Sequence, residues 1–358
     1  VIFVVDRRDL DYQTMKEYDK LEKGAANSNR STSILQRQLE SNDPNKKIII
    51  TTIQKLSIFI KNNRNHPVFD KEVVLIFDEC HRSQFGSMHT AVIKNFKKYY
   101  LFGFTGTPIF AANINKSSPE VIKTTEQAFG QKLHTYTIIN AINDRNVLPF
   151  KIEYIKTIDV DKSLNDKVDQ KVRDIDRESV FLDQRRIKLV VEYILKHFDQ
   201  KTRRNSNIIY SHSISDNLDK TIKRNVSGFN SIMAVSSIEM AKKYYLEFKN
   251  QLAQDPKNNL KIALIYSYGV NTEESYGGLI DEEDNENTLQ LSKPDRDFLD
   301  DAIKDYNNMF NTNFNSEGEQ FQMYYKDVSL KLKNKDLDML IVVNMFLTGF
   351  DAPTLNTL

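Results

Sequence analysis

Short, nearly all-apolar runs recur along this chain, separated by stretches long enough to form helices. The first set of runs covers 1–5, 47–51, 73–77 and 100–104, with helix-compatible stretches near 9–22, 52–63 and 87–97 between them. Continuous apolar runs of this length fit strands buried on both faces, and alternation with helices points to parallel sheets with crossover connections. A second alternating set follows: helix 181–199, strand 206–210, helix 214–222, strand 230–235, helix 237–253, strand 260–266, helices 295–310 and 317–333, and strand 337–343. At 358 residues the chain exceeds one small core, so two α/β lobes are expected. Composition shifts at 158–180, which is charged and poor in large apolar residues. The expected organisation is therefore a first lobe over 1–157, a linker over 158–180 and a second lobe over 181–358. The Lys/Asn/Ser-rich stretch 23–47 reads as an exposed connection, and a strand is expected near 151–157. The acidic stretch near 270–300, with Asp281-Glu282-Glu283-Asp284, reads as an exposed insertion.

Composition narrows the function. Nowhere do about 18 apolar residues run together, so no membrane-spanning helix and no membrane partner is expected. The single cysteine, Cys80, rules out an internal disulfide, makes a Cys/His metal site unattractive and fits a reducing cytoplasm. Fifty basic residues face 49 acidic ones, so the net charge does not announce nucleic-acid binding, though a local stripe would suffice. Basic clusters at Lys94–Lys98 and Lys201–Arg204 read first as solvated surface and only second as a nucleic-acid stripe. The chain starts at Val1 and stops at Leu358 inside apolar patterns, which reads as an internal piece of a longer polypeptide.

Val73-Val74-Leu75-Ile76-Phe77 leads into Asp78-Glu79-Cys80-His81. An Asp at a strand end holds Mg²⁺ at the β- and γ-phosphates of bound ATP in P-loop NTPases, and a neighbouring Glu can orient or deprotonate the attacking water. His81 reads either as a packed histidine or as a reader of the γ-phosphate state. About twenty residues on, a second apolar run ends in Thr105-Gly106-Thr107-Pro108. Gly106 suits a tight turn, and the hydroxyls of Thr105 and Thr107 can bond to the acidic box and couple hydrolysis to motion. Arg7 and Arg8 follow the first strand, and Thr51, Thr52 and Gln54 follow the second; such residues suit phosphate contacts that position DNA without reading it. Thr51 or Thr52 can equally be a helix N-cap. Ser211, in Asn207–Ser213, reads as a further backbone contact or a plain strand end. Near the C-terminus a strand leads to Thr348-Gly349-Phe350-Asp351, where Thr348 can reach DNA phosphate and Asp351, after Gly349, can bond a ribose or orient an arginine.

These boxes, in this order, make the chain resemble superfamily 2 helicases and translocases. The resemblance is strongest to the motor (R) subunit of type I restriction enzymes, through Val4–Leu10, Phe77–Ser83, Phe102–Ile109, Val235–Ile238 before Ala241–Tyr245, and Leu347–Thr357. It spans nearly the whole chain except the acidic insertion. It implies two RecA-like lobes around an ATP cleft and a DNA groove, and ATP with Mg²⁺ as cofactors. It also implies double-stranded DNA together with the methylation and specificity subunits as partners. In that family duplex DNA is pumped past the enzyme and cut by a separate nuclease domain. The sequence contains no Gly-x₄-Gly-Lys-Ser/Thr, the phosphate-cradling loop, nor the arginine box expected after Asp351. This polypeptide by itself is thus expected to bind ATP poorly. Other superfamily 2 motors (a type III restriction subunit, a repair helicase or a chromatin-type translocase) and a degenerate motor pair serving as a DNA-binding scaffold are the alternative readings.

Overall fold

The computed structural model describes residues 1–5, 26–28, 31–41, 43, 48–80, 87–111, 124–155, 157, 180–205, 209–215, 221–255, 258–266, 291–343, 345–346, 350 and 352–358. Among these, Val1–Lys151 and Ile152–Leu358 form two compact units. The expected linker, 158–180, lies outside the described residues apart from Val180, as do most of the acidic stretch and the expected helix near 9–22.

The first unit is built on strands β1 (Ile2–Val5), β2 (Ala26–Ser28), β3 (Ile48–Thr52), β4 (Glu72–Phe77) and β5 (Lys98–Gly103). They pair in the order β2-β3-β1-β4-β5, all parallel. Helices α1 (Thr32–Glu40), α2 (Ile53–Asn62), α3 (Ser87–Asn95), α4 (Thr125–Phe129) and α5 (Ile138–Asn143) accompany them. Side chains alternate across the pleat. Ile2, Val4, Ile49, Leu75 and Phe77 join one cluster with Leu56 and Phe59 of α2 and Val92 of α3, while Phe3, Val5, Ile48 and Ile50 join a separate one. Full burial of Leu56 and Phe59 contributes about 1.5–3 kcal/mol each and fixes α2 to the sheet. The helix starts where Thr52 accepts the Lys55 N–H on its side-chain oxygen.

Register decides where a site can form. Val5 pairs with Thr52, Val4 with Phe77, and Phe77 with Gly103. The carboxyl ends of β1, β3, β4 and β5 therefore share one rim, the place where open parallel sheets bind ligands.

The second unit contains helix α6 (Gln184–Thr202), strands β6 (Ile209–Ser215), β7 (Thr221–Ser227) and β8 (Asn230–Val235), and helix α7 (Ile238–Gln254). Strand β9 (Ile262–Tyr266), helices α8 (Lys293–Phe310) and α9 (Gly318–Lys333), and strands β10 (Met339–Val343) and β11 (Leu355–Thr357) follow. Its parallel sheet runs β11-β8-β10-β9. Strands β9 and β10 are buried at every position, which is why they read as unbroken apolar runs. Tyr324 donates to the Leu264 carbonyl at 2.8 Å and Tyr306 to Asp327 at 2.6 Å, which satisfies the polar ends of two core rings. The basic cluster at 201–204 is engaged inside this unit. Lys201 pairs with Glu153, and Arg204 bonds Asn259 and lies within ion-pair distance of Asp199 and Asp338.

Four expectations are corrected. No helix spans 214–222; β6 and β7 form an antiparallel pair, with Tyr210 opposite Val226 and Ile214 opposite Ile222. No strand forms over 151–155. The stretch 23–47, expected to be a connection, contributes strand β2 and helix α1. Ser211 belongs to the antiparallel pair and is exposed there, opposite Asn225, instead of ending a parallel strand.

Candidate functional site

Asp78 and Glu79 sit at the rim, in the turn that follows β4. The Asp78 N–H donates to the Val4 carbonyl at 2.9 Å, which ties the turn to the middle of the sheet. Asp78 Oδ1 accepts the Glu79 N–H at 2.9 Å, so one carboxylate oxygen orders the turn. Both residues are half-buried. Glu79 holds a left-handed backbone, φ 45°, a conformation that is costly for a residue with a side chain and concentrates at functional turns.

The turn is joined to the threonine segment through the main chain. The Phe104 N–H donates to the Phe77 carbonyl at 2.8 Å, and the Cys80 N–H donates to the Phe104 carbonyl at 2.9 Å. Thr105 Oγ1 accepts the Thr107 N–H at 3.0 Å. A Cβ at Gly106 would meet nothing within 4 Å and its φ lies outside the left-handed region, so the bend at Gly106-Thr107 does not require a glycine. Beyond it, the Ile109 N–H donates to Thr125 Oγ1 at 2.8 Å and the Thr125 N–H returns to the Ile109 carbonyl at 3.0 Å. That exchange pins the segment to α4.

Cys80 is a buried packing residue, as its type suggested. Burial, with the charges of Asp78 and Glu79, pushes its thiol up to about 12, so it stays protonated and inert. Thr51 is fully buried, which takes its hydroxyl away from any DNA backbone; Thr52 is the N-cap of α2; Gln54 is half-buried beside it. Arg7, Arg8, His81, Thr348, Gly349 and Asp351 lie outside the described residues. Sequence reasoning missed His89 and Phe129, whose rings pack with Phe77 directly behind the acid turn at 5.3 and 5.7 Å.

The paired carboxylates after β4 and the tethered threonine segment after β5 thus share the rim at which open parallel sheets bind ligands. The SWI2/SNF2 ATPase profile matches residues 1–185. The chain belongs to the SWI2/SNF2 ATPase family. Residues 227–358 match the profile of type I restriction enzyme subunit R domain 3. It is 40% identical over 364 residues to the endonuclease subunit of the Staphylococcus aureus (strain COL) type I restriction enzyme SauCOLORF180P. That alignment takes in 100% of this chain and 34% of the relative. The SsaAORF53P endonuclease subunit of Staphylococcus saprophyticus is 38% identical, with the same coverage of both chains. The chain thus spans about a third of the length of the curated relatives it matches. The crystal structure of the DUF1998 helicase MrfA bound to DNA and AMPPNP is 10% identical with a TM-score of 0.43, over 98% of this chain and 36% of that one. No helix among the described residues is long and apolar enough to cross a membrane.

Proposed function

We infer that this chain is the motor core of a type I restriction enzyme's endonuclease (R) subunit. It drives ATP-dependent translocation of double-stranded DNA before a separate nuclease domain cuts. The observation that carries this reading is the Asp78–Glu79 turn, ordered at the carboxyl rim and joined by main-chain hydrogen bonds to the Thr105–Thr107 segment. The matches to type I restriction subunits over the whole chain support it.

Asp78 is suited to a Mg²⁺ that arrives with ATP, because magnesium keeps most of its waters and takes only one or two protein carboxylates. The metal, when bound, neutralises charge on the phosphates. Asp78 orients that end of the nucleotide with the carboxylate oxygen that the Glu79 N–H does not use. Glu79 orients the attacking water and accepts its proton. Thr105 and Thr107 pass the change in the acid turn onward through Phe104 and Ile109. Gln54, Ser211, Arg7, Arg8 and Thr348 are assigned to the DNA backbone, and Gly349 and Asp351 to coupling. Cytoplasmic action beside methylation and specificity subunits completes the assignment. In the intact subunit, Asp78→Asn should lower DNA-stimulated ATP hydrolysis by about a thousandfold while duplex binding stays within about twofold. Hydrolysis at the wild-type rate would end the magnesium assignment.

A further inference from the structure

Behind the acid turn the first unit buries a histidine with no hydrogen-bond partner among the described residues. His89 of α3 is fully buried, and neither ring nitrogen has a hydrogen-bond partner among the described residues. Its ring lies 5.3 Å from that of Phe77, the last residue of β4, and 5.2 Å from that of Phe129 of α4. Phe129 in turn covers Gly103, where a Cβ would come within 2.8 Å of the Phe129 ring and 2.9 Å of Cys80 Sγ. Burial pushes the imidazole down to about 4. The ring is therefore neutral at physiological pH, with one nitrogen a donor and the other an acceptor.

Packing alone does not call for an imidazole here. A phenylalanine would fill the same space and strand no polar atom, whereas a buried polar group without a partner is costly. The cage also adjoins the site along the chain. Phe77 leads directly into Asp78, Cys80 follows Glu79, and Phe129 shares α4 with Thr125, which holds the loop beyond the threonine segment. Glu79, at φ 45°, occupies a backbone region that a residue with a side chain leaves at a gain. The main-chain bonds from Asp78 to Val4 and from Cys80 to Phe104 hold that strain in place, and their release would let the turn relax.

On the reading that this turn is the hydrolysis site, we propose that His89 is a positioning residue that gives the acid turn a second resting place. In that place the turn's main chain or the Cys80 thiol exchanges a hydrogen bond with the imidazole. The turn then moves between two packed arrangements in each cycle, and Phe129 carries the movement to the threonine segment.

The test compares His89→Phe and His89→Gln in the intact subunit, with Asp78→Asn as reference. Thermal stability should rank Phe above His above Gln, following the removal of a stranded polar group and then the loss of ring packing. Turnover should rank differently, His above Gln above Phe, with kcat of the Phe variant down by about tenfold or more and KM for ATP little changed. Glutamine restores part of the rate because it keeps a donor and an acceptor. Turnover that follows the stability order, or a Phe variant at the wild-type rate, overturns the proposal. Should the Phe variant not fold, His89→Leu takes its place, and failure of both to fold makes the imidazole a folding requirement and overturns it equally. Undiminished hydrolysis by Asp78→Asn removes the site reading itself. An inactive Asp78→Asn beside a fully active His89→Phe removes only the role of His89.

Discussion

Gly103 is the residue on which the back of the site closes. The space a side chain would need is taken by Phe129 and by Cys80 Sγ, both under 3 Å from an added Cβ. Gly103→Ala should therefore displace the acid turn and cost about 1–3 kcal/mol, read as a lower urea midpoint for the first unit, and should slow hydrolysis as well. His89 makes the same region sensitive to pH. Its folded-state value lies near 4, below the ordinary 6.5, so as pH falls the unfolded chain takes up the proton first. The contribution is present above about pH 6.5 and is lost progressively towards pH 4. Between pH 7 and 5 the loss should be about 2 kcal/mol. Urea unfolding at the two pH values checks this, and His89→Phe should flatten that part of the profile. None of this packing was legible in the sequence. His89 and Phe129 are 11 and 51 positions from Asp78, with no motif to link them, and only the folded sheet brings their rings behind the turn.

Element by element, the long buried strands were plain in the sequence, because a strand covered on both faces has to be apolar throughout. Strand β4 was expected at 73–77 and runs from Glu72 to Phe77; β10 was expected at 337–343 and runs from Met339 to Val343. Strand β2, Ala26–Ser28, escaped because its Ala-Asn-Ser sequence lacks the β-branched and aromatic residues that mark strands. Residues 214–222 were mistaken for a helix because the stretch between Ser215 and Thr221 carries no Gly or Pro to signal a hairpin. The capping alternative at Thr52 came from residue type and is the geometry found. Thr52→Ala should thus cost about 1 kcal/mol, measurable in the unfolding of the first unit. A sharper break is expected where β7 passes into β8. Gly228 has φ 64°, and a Cβ there would lie 2.5 Å from Arg204 Cα, so backbone would have to yield to backbone. Gly228→Ala should lower the stability of the second unit by at least about 2 kcal/mol, whereas the exposed Leu189→Ala should change it by less than about 0.5 kcal/mol.

On the scale of the whole chain, the first unit exposes Tyr100, Phe102, Phe104, Leu133, Ile139, Leu148 and Phe150. That is more large apolar surface than isolated exposed residues would supply, and β5 is an edge strand among the described residues. The 358-residue polypeptide is expected to self-associate as its concentration rises, which light scattering after size exclusion would read; Phe102→Lys with Leu148→Lys should reduce it. The same polypeptide lacks a Gly-x₄-Gly-Lys-Ser/Thr sequence, so titration with ATP and Mg²⁺ should give much weaker binding than the intact subunit. The architecture and the order of the boxes were readable from sequence because parallel sheets place successive strand ends on one rim, whereas the hydrogen bonds that join those ends depend on register. The most direct measurement is a cryo-EM map of the intact subunit with Mg²⁺ and a non-hydrolysable ATP analogue. The Asp78 carboxylate should contact the metal, directly or through one water, with Glu79 facing the γ-phosphate. A nucleotide seated away from the Asp78–Glu79 turn would contradict the account.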